Sequence, residues 1–208
     1  MFEPFTKTVI TCNGRSKNLS VIDPIQRKVI KLIDVGGKPE KAAADGEGKL
    51  FVNIEDKNEI VEIDLKTYIV LNHWSLDGGE GPTGLEYDPK TKRLFASCEK
   101  QIVIMDATTG KVIDKLPIGA GADGVAFDKK NGIIFTSNGE GTITVIKETN
   151  ANSFAVLGNY PTKKGARTIA IDENTGAIYL PTAEFEPNTT PGTRPKMIAG
   201  TFQVLEVR

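Results

Sequence analysis

The chain has 208 residues, 39% of them apolar and 25% charged, with a formal net charge of −1. That balance excludes a chain disordered over most of its length, and it gives no general attraction to nucleic acid or to anionic membranes. No apolar run approaches the roughly 18 residues that cross a bilayer, and the start, MFEPFTKTVI, lacks the charged lead and apolar core of a secretory signal.

Short apolar strands separated by polar turns fill the chain. The first unit (1–39) opens on FEP, with Glu3 ending a stub of strand, and continues through VITCN, LSVID and KVIKLIDVG. The second (40–82) reads AAAD, LFVNI, IVEID and IVLNHWSL, and the third (83–123) reads LEYD, LFASC, IVIMD and KVIDKLPIG. The fourth (124–167) gives VAFD, IIFTSN, ITVIK and FAVLGNYP; the fifth (168–208) gives IAID, AIYLPT and FQVLEV, with no fourth strand after it. The acids that end the first strands, Glu3, Asp45, Asp88, Asp128 and Asp172, are spaced by 42, 43, 40 and 44 residues.

Four short strands repeated at this period predict an all-β fold, a β-propeller of four-stranded blades with about five blades present in one domain over 1–208. No segment of ten or more residues carries a 3.6-residue apolar period, which excludes helical repeats. His73 is the only histidine and sits on an outer strand beside Trp74, so neither a His metal cluster nor a Ser-His-Asp site is expected. The two cysteines, Cys12 and Cys98, fall on second strands of blades one and three, too far apart for the roughly 7 Å that a disulfide spans.

The stretch GAGADG (119–124) matches the dinucleotide fingerprint G-x-G-x-x-G, and GEGPTG (79–84) repeats it. Both lead into strand, turn and strand rather than the helix whose N-terminus would hold a pyrophosphate, so they are read as linkers between blades.

The strands FTSN (135–138) and ITCN (10–13) resemble the Tyr-Val-Thr-Asn strand that names the YVTN-type, YncE-like bacterial propeller repeats. VIMDATTGKVIDKLPIG (103–119) is similar to that family's third and fourth strands, and VIDPIQRKVIKLIDVGGKPE (21–40) repeats it. The resemblance runs from Phe2 to Arg208, with departures at VIKETNANSFAVL in blade four and a long insertion in blade five. It implies a seven-bladed ring, exported to the periplasm or cell surface, that acts as a binding scaffold without a catalytic residue common to the family. On that basis the chain is expected to be the C-terminal part of a longer propeller, self-associating through its open terminal blades.

The linkers GGKPEKA, GEGPTGL, GAGADGV and KKGARTI place Glu40, Thr83, Asp123 and Arg167 just before first strands, where they should ring the mouth of the central channel. Loops of this kind carry the sites of scaffold folds, and a small polar ligand or a peptide is the expected partner, with no cofactor. The alternative is a lactonase-like hydrolase in which Glu40, Asp123, Asn13 and Asn138 hold one divalent cation. A quinone-dependent enzyme would need repeated Trp motifs, and Trp74 stands alone. The basic turns at 13–18 and 162–168 lack interleaved aromatics and read as solvated charge. The Pro- and Thr-rich segment 184–200 reads as a long loop, and the glycosylation triplets at 18–20 and 188–190 as chance.

Overall fold

A computed structural model describes residues 1–187 and 195–208; the triplet at 188–190 lies outside the described residues. Five antiparallel sheets follow one another along the chain, each a meander in sequence order. Blade one comprises β1 (Phe2–Glu3), β2 (Thr8–Asn13), β3 (Asn18–Asp23) and β4 (Lys28–Asp34), and blade two β5 (Pro39–Ala44), β6 (Lys49–Ile54), β7 (Glu59–Asp64) and β8 (Ile69–Ser75). Blade three holds β9 (Leu85–Asp88), β10 (Arg93–Cys98), β11 (Gln101–Asp106) and β12 (Val112–Pro117). Blade four has β13 (Ala122–Asp128), β14 (Ile133–Asn138), β15 (Thr142–Asn150) and β16 (Ser153–Pro161). Blade five has three strands, β17 (Ala170–Ile171), β18 (Ile178–Thr182) and β19 (Gln203–Val207). The only helix among the described residues is a single 3-10 turn at Glu55–Lys57.

The periodic acid has a physical cause. Where β1, β9, β13 and β17 end, the carboxylates of Glu3, Asp88, Asp128 and Asp172 accept amide N–H groups two or three residues ahead, as from Phe5 and Thr6 to Glu3. Asp45 does the same just beyond β5, taking the amides of Glu47, Gly48 and Lys49. Such side-chain capture of turn amides replaces the ladder partners that the chain loses as it reverses. The last residue of each of these turns lies in the left-handed region, filled by Gly48, Gly132 and Gly176 but also by Lys7 and Lys92.

Successive residues of a strand point to opposite faces, and in blades two to four both faces are apolar because each of these sheets packs on two neighbours. Ala42, Leu50 and Val52 join the core shared with Ile10, Leu19 and Val21 of blade one, while Ala43 and Phe51 join the core shared with Leu94, Ala96 and Cys98 of blade three. Phe95, Ile102 and Ile104 meet Val125, Phe127 and Ile134 of blade four, and Ala126 and Ile143 meet Ile178 and Leu180 of blade five. Four separate cores therefore hold the arc, and at about 1.5–3 kcal/mol per large buried side chain they are its main source of stability.

Both thiols are free, and they sit in different cores: Cys12 half-buried at the blade one–two core, Cys98 buried at the next. His73 lies on the outer strand β8, half exposed, with Nδ1 2.8 Å from Glu59 Oε1. Blade four begins two residues before the boundary read from the sequence, so Asp123, like Glu40, belongs to a first strand and not to the linker before it.

Candidate functional site

Glu40 and Asp123 owe their positions to breaks in strand register. β13 pairs Ala122 with Asn138 and then Gly124 with Ser137, so Asp123 is an extra residue with no partner opposite. Likewise β5 pairs Pro39 with Ile54 and next Ala42 with Val52, leaving Glu40 and Lys41 opposite Asn53 alone. A bulge of this kind bends the strand and re-aims the extra side chain. Here it turns a carboxylate at the end of each inner strand toward one shared cavity.

That cavity, of about 660 Å³, is lined by residues of blades two to four and by Arg167 of the linker into blade five, and Glu40, Thr83, Asp123 and Arg167 all lie on its wall. Thr83 fastens the wall between blades three and four: its hydroxyl donates to the Ala122 carbonyl at 3.0 Å, and its amide to the Ser97 carbonyl at 3.0 Å. Behind it, buried Asn53 donates to the Gly84 carbonyl at 2.9 Å, tying blade two to the same linker.

Three further carboxylates, Glu55, Glu80 and Glu99, line the cavity. Lys38 lies between Glu40, 2.8 Å away, and Glu55, and these two hydrogen-bonded carboxylates push its pKa up, Glu40 the more strongly. Glu80, Glu99 and Asp123 form no ion pair among the described residues. The wall therefore carries five carboxylates against Lys38 and Arg167, and its field is negative. Among the described residues no three His, Cys, Asp or Glu side chains converge closely enough to hold one metal ion.

Neither Asn13 nor Asn138 lines the mouth. Asn138 shares a face of β14 with Ile134, toward blade three, and is wholly buried. Its amide donates to Thr142 and Thr144 at 3.0 Å each, and Thr144 Oγ1 accepts the Gly119 amide at 3.1 Å, so the asparagine anchors a linker. Asn13 holds the equivalent place in blade one, donating to Asn18 and Ser20. The four-oxygen cation site imagined from the sequence is thus not assembled, because two of its donors serve strand ladders.

Arg167 also lines a second, larger cavity of about 1030 Å³ with Gly139, Lys164, Gly165, Glu184, Phe185 and Ile198. Its own backbone is pinned, the carbonyl accepting from Ser137 Oγ and the amide donating to Gly165 O at 3.0 Å.

The sequence reading missed Glu55, Glu80 and Glu99. A signal existed for two of them: Glu55 and Glu99 each follow directly on a second strand, as Gly139 and Ala183 do, and all four line one or other cavity. Blades two to five thus each contribute to the rim at two places, one at or before the first strand and one after the second.

The chain is a β-propeller, a fold on which binding and scaffold roles are common. Among solved structures it is similar to Kuenenia stuttgartiensis hydrazine synthase, with a TM-score of 0.77 and 16% identity, over 100% of this chain and 62% of that one. It is similar also to a chain of a mitotic checkpoint complex, with a TM-score of 0.73 and 13% identity, over 83% of this chain and 55% of that one. It thus spans less than two thirds of either neighbour, and identities this low establish the fold alone. No family model matches the chain, and no curated protein matches it in sequence. No helix among the described residues is long and apolar enough to cross a membrane.

Proposed function

We propose that this protein is a binding module whose site is the acidic mouth of the propeller, and that it recognises a positively charged group there. The observation that carries the reading is the wall itself: carboxylates from three blades around one cavity, three of them without an ion pair among the described residues. A lone organic cation or a lysyl or arginyl side chain fits this arrangement better than a metal ion does, because the carboxylates ring an opening instead of converging on a point. The checkpoint-complex neighbour belongs to a protein assembly, which supports a protein or peptide partner. The repeat motifs support placing the protein with the bacterial YVTN-type propellers, and hence export to the periplasm or cell surface.

Titration calorimetry with tetralysine amide tests the reading. Binding that weakens steeply with salt, and that is lost in the Glu80→Gln/Glu99→Gln variant, is expected; equal heats for both proteins would overturn it.

A further inference from the structure

The two cavities lie on the same rim. Linker residues and residues following second strands line both, with blades two to four supplying the acidic one and blades four and five the other. A backbone relay runs beneath: the Gly139 amide donates to Gly121 O at 2.8 Å and the Gly165 amide to Gly139 O at 3.0 Å. Gly121 lines the first cavity, Gly139 and Gly165 the second, and a methyl group at Gly139 would sit 3.1 Å from Gly121 O and 3.7 Å from Arg167 Cδ. The floor is therefore kept low by glycines where Arg167 crosses from one cavity to the other.

Charge changes sign along this floor. The acidic cavity ends at Arg167, and the next wall carries Lys164 and Arg167 against the single carboxylate Glu184, beside the exposed apolar side chains of Phe185 and Ile198. We propose that the two cavities are halves of one groove, and that its ligand is a short peptide in extended form. A basic side chain enters the acidic mouth, an apolar side chain lies against Phe185 and Ile198, and a carboxylate meets Lys164 and Arg167. The inference rests on the mouth being a cation site and adds the direction and chemistry of the rest of the ligand. Each part is matched: carboxylates without an ion pair among the described residues to the cation, exposed apolar surface to the apolar group, and cations without an ion pair among the described residues to the carboxylate. Arg167, with its planar fork of donors, suits a carboxylate better than a lysine would.

Calorimetry with acetyl-Lys-Lys-Gly-Gly-Phe, once with a free C-terminal carboxylate and once as the amide, tests the groove. The free acid is expected to bind about tenfold more tightly than the amide, the usual effect of one charge-assisted pair. In the Lys164→Gln/Arg167→Gln variant the two peptides should bind alike, with circular dichroism melting confirming that these exposed substitutions leave the fold intact. Equal binding of acid and amide to the unsubstituted protein would overturn the groove, and so would a preference that survives in the variant. Tetralysine amide binding alongside either of those results would leave the acidic mouth standing by itself; failure of tetralysine and both peptides would remove both.

Discussion

Thr91 Oγ1 lies 2.7 Å from Glu148 Oε1 across the boundary between blades three and four, and 2.5 Å from Asp88 Oδ2 within its own turn. A hydroxyl has one proton to donate, so one of these contacts is favourable only when the carboxyl itself supplies a proton. Glu148 is the group that takes up this proton first as pH falls, because burial pushes its pKa up, while Asp88 accepts the amides of Lys90 and Thr91. Arg93, whose charge acts on Glu148 from blade three, is occupied by Asp106 and the Ala151 carbonyl.

A carboxyl whose pKa is raised on folding stabilises the native state below its unfolded pKa, and that contribution is lost as pH rises through the folded value. Glu148→Gln replaces the acid O–H by an amide donor with no charge to bury. The variant should match the natural protein near the ordinary glutamate pKa of about 4.3 and exceed it at neutral pH by about 1 kcal/mol, or about 2–4 °C in melting temperature. Asp106, Asp128 and Asp172, whose lowered pKa values act in the opposite sense on acidification, are common to both proteins and cancel in the difference. A difference independent of pH would show that the shared proton is absent.

Phe95 is the keystone of the blade three–four core, wholly buried, with Phe127 edge-on at 5.0 Å and Phe154 at 6.2 Å. Phe95→Ala should cost about 3–5 kcal/mol in urea unfolding. Ile25→Ala, at a turn residue that is 91% exposed, should cost almost nothing. Similar losses for the two would refute the interface assignment.

Burial pushes the Cys12 thiol up to about 11 and the Cys98 thiol up to about 12. At pH 8 the thiolate fraction is then on the order of a thousandth or less, so a disulfide reagent should label neither cysteine rapidly in the native protein. In denaturant without reductant both should titrate. Rapid native labelling of Cys98 would place it outside the core described above.

Lys92 holds the left-handed position of its turn with φ 55, where Gly132 and Gly176 stand in blades four and five. A non-glycine residue there costs roughly 1–2 kcal/mol, partly offset by the unfolded-state entropy that glycine adds. Lys92→Gly is therefore expected to raise the melting temperature by a few degrees; a lower value would mean that the lysine side chain makes a compensating contact.

The blade pattern was legible because two local requirements repeat with it: apolar residues on both strand faces, and an acid where turn amides need an acceptor, as Asp88 and Asp128 show. The positions of Glu40, Thr83, Asp123 and Arg167, at or just before first strands, were legible as a ring because they recur with the same repeat. The bulges at Asp123 and Glu40 were not, because they depend on which residue of the next strand lies opposite, and sequence spacing does not reveal a one-residue slip. Asn138 was misplaced as a ligand because a polar residue ending a strand looks alike whether it faces a mouth or a ladder. Its four-residue offset from Ile134, an even number that keeps both on one strand face, was the clue that it points at blade three. Glu80 lay inside the glycine pattern at 79–84 and was overlooked as filler.

The four separate cores make the arc a linear series of couplings, each blade answering mainly to its neighbours. Opening free energies in such a series are uneven: blades two to four share a core on either side, whereas blade five shares only one among the described residues. Amide hydrogen exchange should accordingly be slowest in β6, β10 and β14 and fastest in β19. The same gradient runs along the rim, so the acidic half of the proposed groove is a fixed template and the Phe185–Ile198 half an adaptable one. A ligand spanning both would be caught by its cation first and would order the softer half as it settles.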